Sequence, residues 1–335
     1  MWKWFAIAMG VIVVAMLGFA GYVVATGLHS PHPVGFQIAR VADGNRAPLQ
    51  VGIWYPTTAS PRPMLLGFVV QYVAGDAPIK GEKLPLVVIS HGNGGGVASH
   101  ADTALALAAA GFVVAAPVHT GDNFADQSAV GGPRWFIDRS RHIKATIDFM
   151  LNNWRDRARI DPARIGLFGF SAGGTTALIS IGGEPDFAAL ARHCAQIPEF
   201  ACQLWKPDKA PLSNASVHDP RIKAAVIAAP GYGFAFVPNG LTRVSVPIQL
   251  WNGVADENVP VATNAEPVRA ALPGHAELHL VRDARHFSFL VPCGAMGVLA
   301  PPMLCSERPG FDRKAFHRNF DAEVVKFFDA KLNRR

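Results

Sequence analysis

The chain has 335 residues, half of them hydrophobic and 17% charged, with a formal net charge of +6. That length supports one large domain with its own core, so folding needs neither a disulfide scaffold nor a metal. The basic residues are scattered and form no Lys/Arg run, which argues against a nucleic-acid partner.

Lys3 precedes Phe5–Ala25, "FAIAMGVIVVAMLGFAGYVVA", a run without charge. A bilayer-spanning helix needs about 20 such residues. The apolar core of a signal peptide is shorter, roughly 7–15 residues. Val23-Val24-Ala25 nevertheless offers a signal-like cleavage point, so cleaved signal and retained anchor are both open, and length favours the anchor. Residues 1–27 are read as signal or anchor and 28–335 as the body. Positive charge before the run puts the body on the far side of the membrane. The protein is expected to be exported: anchored outside the cytoplasm, or periplasmic or secreted if the run is cleaved.

After a Pro/Gly linker, residues 35–57 predict two strands with a turn at Asp43-Gly44-Asn45. Residues 60–83, with prolines, glycines and little periodicity, predict an irregular loop. Leu84–Ile89 is a continuous apolar run ending in the glycine cluster "SHGNGGG", as a strand buried on both faces would read. "ASHADTALALAAAG" predicts a helix stopped by Gly111, and "FVVAAPVHTGD" a second buried strand. Ile143, Ile147, Met150, Leu151 and Trp154 recur at helical spacing. "RIGLFGF" is a third strand, followed by a helix over Ala172–Ile181. "RIKAAVIAAPG", "VPIQLWNG" and "AELHLVRDA" are further strands, and residues 311–332 a closing amphipathic helix. The alternation predicts an α/β fold with a doubly wound, mostly parallel sheet. Residues 184–218 interrupt it after the Ala172 helix and read as a helical insertion, a lid or an ordinary excursion.

The four cysteines form two close pairs, Cys194 with Cys202 and Cys293 with Cys305. In an exported chain two disulfides are expected, with four buried thiols as the alternative and the connectivity open. The histidines lack H-E-x-x-H or similar spacing. No metal and no cofactor is expected.

Gly169-Phe170-Ser171-Ala172-Gly173 lies between a predicted strand and a predicted helix. A nucleophile elbow needs that setting, with small neighbours at a sharp turn. A serine nucleophile then needs a base and an orienting acid, in the chain order serine, acid, histidine. Asp256 follows a predicted strand end and a glycine turn. Glu257 and Asp283 are its rivals, the first pointing elsewhere and the second too local to the histidine. His286 follows the last strand, whereas His279 lies within that strand and His275 in the turn before it. His193 and His218 precede the acid. Two N–H groups for an oxyanion hole are expected from Ala172, at the helix start, and Asn93, in the glycine cluster. That cluster lacks the lysine and hydroxyl residue of a phosphate loop. Phe170, Trp251 and Phe287 are read equally as walls of an acyl pocket and as core filling.

Taken in order, "VGIWYPT", "LPLVVISHGNGGG", "AAGFVVAAPVHTGDN", "IGLFGFSAGG", "NGVADENVP" and "ARHFSFLVPC" resemble a serine α/β-hydrolase. More narrowly, they resemble the dienelactone-hydrolase-like esterases related to platelet-activating-factor acetylhydrolase. The resemblance runs from Val51 to Cys293 and implies the α/β-hydrolase fold. It implies cofactor-free hydrolysis of a small-molecule or lipid ester, with Ser171 acylated and His286 activating water. Dienelactone hydrolases proper use cysteine where this chain has Ser171, and many relatives carry histidine where it has Phe170. Two further readings are a lipase- or phospholipase-type acylhydrolase at a membrane surface and a non-catalytic binding protein on the same fold. Turnover across an ester panel separates the last from the others.

Overall fold

The computed structural model describes residues 2–44, 46–206, 217–274 and 276–333. Asn45 of the first predicted turn, His275 and residues 207–216 of the insertion lie outside the described residues. Ten strands are described: β1 (Val34–Asp43), β2 (Arg46–Pro56), β3 (Arg62–Leu66), β4 (Val69–Gly75), β5 (Leu84–Ser90), β6 (Val113–Pro117), β7 (Ile160–Phe170), β8 (Ile222–Ala228), β9 (Ile248–Gly253) and β10 (Glu277–Val281). They form one sheet in the order β10-β9-β8-β7-β5-β6-β2-β1-β4-β3. Strands β6, β5, β7, β8, β9 and β10 run parallel, and β2 joins β6 antiparallel.

The helices are α1 (Trp2–Ala25), α2 (Ala101–Ala109), α3 (Pro133–Asn152), α4 (Ala172–Ser180), α5 (Phe187–Gln196), α6 (Phe200–Leu204), α7 (Ala265–Ala271), α8 (Pro302–Cys305) and α9 (Arg313–Leu332). Side chains alternate across a strand, and β5 shows what that does here. Leu86 and Val88 join a core with Ile143 and Ile147 of α3, while Val87 and Ile89 join another with Leu107 of α2 and Phe328 of α9. Both faces of β5 are therefore covered, which is why it reads as a continuous apolar run. Each such fully buried side chain contributes about 1.5–3 kcal/mol. The structure has the α/β-hydrolase fold.

Residues 60–83 depart from expectation. They contain the β3–β4 hairpin, which turns through Gly67 and Phe68, with Gly67 at φ +59°. Gln71 hid the alternation: it is fully buried in the inward series with Val69 and Val73, and it accepts a hydrogen bond from Trp54 Nε1 at 2.9 Å. β3 is the outermost strand and mostly exposed, so it needs no apolar run. Helix α3 also starts earlier than its apolar spacing suggests, with Pro133 in its first turn, where proline's missing N–H costs nothing.

Within the insertion, α5 and α6 are joined by the Cys194–Cys202 disulfide. Leu190 is buried, Phe187 stacks on Trp205, and Tyr232 Oη donates to the Ala201 carbonyl at 2.6 Å. The described part is thus packed onto the body. Cys293 and Cys305 form the second disulfide.

Candidate active site

Strand β7 delivers Ser171 to the turn before α4, with φ +56° and ψ −120°. A non-glycine residue there is strained, and such strain persists only when the surroundings enforce it. The flanking glycines show the enforcement. A Cβ at Gly169 would lie 2.2 Å from the Gly173 carbonyl oxygen, and one at Gly173 would lie 2.0 Å from that of Ser90. Neither position has room for any side chain, so the turn can be this tight only with glycine at both.

Ser171, His286 and Asp256 come from three separate strand ends and form one hydrogen-bonded chain. His286 Nε2 lies 3.0 Å from Ser171 Oγ, and His286 Nδ1 lies 2.8 Å from Asp256 Oδ2. With the ring hydrogen on Nδ1 and donated to Asp256, Nε2 is free to accept the serine hydroxyl. Asp256 is fixed from its other oxygen, which accepts the N–H groups of Asn258 and Val259, both at 2.9 Å. The rivals are elsewhere: exposed Glu257 and half-buried Asp283 reach Arg285 and Arg308, each at 3.7 Å. His279 stacks on Trp251, His193 stacks on Phe234, and His218 is exposed.

The loop carrying His286 is held from α9. His317 Nε2 lies 2.8 Å from the Ser288 carbonyl, and Ser288 Oγ donates to Glu307 at 2.6 Å. His317 Nδ1 sits 2.5 Å from Asp102 Oδ2. Burial pushes the His317 pKa down, but Asp102 and Asp321 outweigh it and hold it above the usual histidine value. Burial, aided by Asp102, raises Asp321 well above the usual carboxylate range.

Ala172 and Asn93 stand near Ser171 by different routes. Ala172 is the first residue of α4, where helical N–H groups lack intrahelical acceptors. Asn93 follows Gly92, and a Cβ on Gly92 would come within 3.2 Å of Ser171 Cβ. The Asn93 loop is fastened by Asp122, whose Oδ1 accepts from Asn93 Nδ2 at 2.8 Å and from the Gly94 N–H at 2.9 Å. Its Oδ2 accepts from Trp135 Nε1 at 2.6 Å and Arg139 Nη1 at 2.5 Å. Arg139 is buried and also donates to Thr176 Oγ1 on α4 and to the His91 carbonyl. Burial raises the Asp122 pKa, but Arg139, His91 and the donors from Gly94 and Trp135 together bring it below the ordinary value.

Sequence reasoning missed this network. Its one local signal is Asp122, placed just after a strand end as Asp256 is. Beside it, His91 is brought down to about 4 by burial and by Arg139. Its Nε2 accepts the His119 N–H at 3.1 Å, and the His119 ring continues to Ser90 Oγ at 2.9 Å and His142 Nδ1 at 3.1 Å.

The three proposed pocket aromatics separate. Phe287 is half-buried, edge-on to the His286 ring at 5.3 Å, and stands at the site. Phe170 is buried against His100, His286 and Phe289. Trp251 is not brought to Ser171. It lies in the core between His279 and Phe320, with its Nε1 donating to Gln249. A cavity of about 290 Å³ lies beside the end of α1, and no residue of the Ser171 chain lines it.

Residues 71–213 match the Dienelactone hydrolase family. A solved structure with the same fold is a ferulic acid esterase from Streptomyces cinnamoneus, 20% identical, covering 93% of each chain with a TM-score of 0.64. The chain is an α/β-hydrolase that resembles the dienelactone hydrolase family. No curated protein sequence matches it. The family match spans β5, the Asn93 loop, Arg139 and Ser171 of this α/β-hydrolase, and it stops before Asp256 and His286.

Proposed function

We propose that this α/β-hydrolase is an exported carboxylic ester hydrolase working through Ser171, His286 and Asp256. The observation that carries the reading is the unbroken chain from Ser171 Oγ through His286 to Asp256, set on a strained elbow. Ser171 Oγ attacks the ester carbonyl carbon while His286 Nε2 takes the hydroxyl proton. Asp256 stabilises the imidazolium that forms. The N–H groups of Ala172 and Asn93 receive the negative oxygen. The C–O bond to the alcohol breaks, and His286 returns the proton to the leaving oxygen. Water then attacks the acyl-enzyme, giving its proton to His286, and Ser171 leaves with that proton as the acid departs. The family match and the esterase neighbour support the substrate class. The apolar α1 and the two disulfides support export, with α1 retained as an anchor.

A fluorophosphonate probe is expected to label the protein once, and Ser171→Ala is expected to abolish labelling. Labelling that survives the substitution overturns the assignment. A second reading, an acylhydrolase acting on membrane lipid esters, is favoured by the way α1 is bound to the sheet edge. Rates on short- and long-chain p-nitrophenyl esters, with and without micelles, separate the two.

A further inference from the structure

Helix α1 does not end in a slack linker. Leu28, three residues beyond its last residue, already pairs with β4: its N–H donates to the Val70 carbonyl at 2.7 Å, and its carbonyl accepts from Tyr72 N–H at 2.9 Å. Tyr72 Oη donates back to the Val24 carbonyl inside the helix at 3.2 Å, and the Tyr72 ring stacks on His29. The turn Ala295–Leu299, closed by the Cys293–Cys305 disulfide, packs against both α1 and β4.

The chain exposes large apolar side chains around this exit. Leu65 and Phe68 belong to the β3–β4 hairpin, and Val298, Leu299 and Met303 to the disulfide-closed segment. Single exposed apolar residues need no explanation. Five of them on two sequence-remote segments, both meeting the base of an apolar span, do. The cavity of about 290 Å³ opens at the same place. Phe68, Met296, Lys314 and Arg318 are among the residues that line it. Apolar tips with basic side chains beside them suit the boundary between acyl chains and anionic headgroups.

We propose that the β3–β4 hairpin and residues 295–303 form a seat on the bilayer surface. Phe68 and Val298 enter the interfacial layer while α1 spans the membrane, so the body rests on its β3 edge in one orientation. The inference rests on α1 being a retained anchor. It goes further by naming the face that meets the lipid.

The test uses the full oxidised chain in phosphatidylcholine/phosphatidylglycerol vesicles. Single cysteines carrying a polarity-sensitive fluorophore are placed at Val14, Phe68, Val298 and Leu280, the native cysteines being held as disulfides. Leu280 is exposed on β10, at the opposite edge of the sheet. Blue-shifted emission, at least twofold quenched by doxyl lipids, is expected at Val14→Cys, Phe68→Cys and Val298→Cys, and solvent-like emission at Leu280→Cys. Quenching at Val14 with solvent-like emission at Phe68 and Val298 overturns the seat and leaves the anchor standing. No quenching at Val14 overturns the anchor, and the seat with it. Equal quenching at Leu280 and Phe68 also overturns the seat, because it shows a body lying on the membrane without a preferred face.

Discussion

Arg139 reaches Asp122 inside the protein, Nη1 to Oδ2 at 2.5 Å, with side chains 1% and 0% exposed. Through that pair, α3 grips both the loop bearing Asn93 and, by way of Thr176, the helix that follows Ser171. Removing one partner strands the other charge away from water, which costs about 3–5 kcal/mol. Asp122→Ala and Arg139→Ala are each expected to destabilise by that amount in urea titrations. The double variant Asp122→Leu/Arg139→Met is expected to recover much of the loss, because it leaves no orphan charge. A double variant whose destabilisation equals the sum of the two single losses contradicts this account.

Replacements of Ser171 and Asp256 are expected to fail differently. Ser171→Ala should lower kcat on an ester substrate by roughly 10⁶-fold and Asp256→Asn by about 10⁴-fold, with KM little changed. Steady-state kinetics check both. The larger loss at Asp256 would instead indicate that Asp256 does more than hold the His286 tautomer.

Gly173→Ala tests the strain at the elbow. The added methyl would lie 2.0 Å from a backbone oxygen of β5, so either α4 or the strand must move. Overpacking of this kind costs about 1–3 kcal/mol. The displaced Ala172 N–H should lower activity by far more than the stability loss explains. Activity and Tm measured on the same preparation separate the two effects.

Acid is expected to unfold the protein well above the usual carboxylate range. Burial lowers the folded pKa of His91 to about 4 and of His100 and His142 to about 3, and takes His119 well below its ordinary value. The unfolded chain binds those protons near pH 6.5 and the folded chain does not, so stability falls as pH drops below about 6.5. Each group contributes a slope of about 1.4 kcal/mol per pH unit until its folded pKa is reached. Asp321, raised, acts in the opposite sense over part of this window, whereas His317, raised above 6.5, changes stability only at higher pH. Four groups against one leave a net loss, so Tm should decline steadily from pH 6.5 to pH 4. A flat Tm over that window rules out neutral buried histidines.

What the sequence disclosed follows from where each residue sits. Ser171, Asp256 and His286 each follow a parallel strand, and the order of strand ends survives in one dimension. Leu86 to Ile89 betrayed burial on both faces because every side chain had to be apolar. Arg139 left no such trace, since an arginine on a helix ordinarily faces water and its partner Asp122 belongs to another element. Gln71 concealed β4 for the same reason: a buried polar residue whose side-chain oxygen accepts from Trp54 looks, in sequence, like a loop. Trp251, read equally as pocket wall and as core filling, packs against His279 and Phe320; adjacency to the Asp256 turn says nothing about which face of β9 a side chain takes.

The three-residue step from Ala25, the end of α1, to Leu28 on the sheet edge carries a consequence for encounter. A body on a long flexible leash sweeps a hemisphere and meets its substrates by diffusion in three dimensions. Three residues span at most about 10 Å even when fully extended, and here Leu28 is already bonded to β4. With the helix retained, Ser171 keeps one altitude and one heading above the lipid. It then searches a thin slab of solvent, and anything lodged in the membrane reaches it by travel in two dimensions.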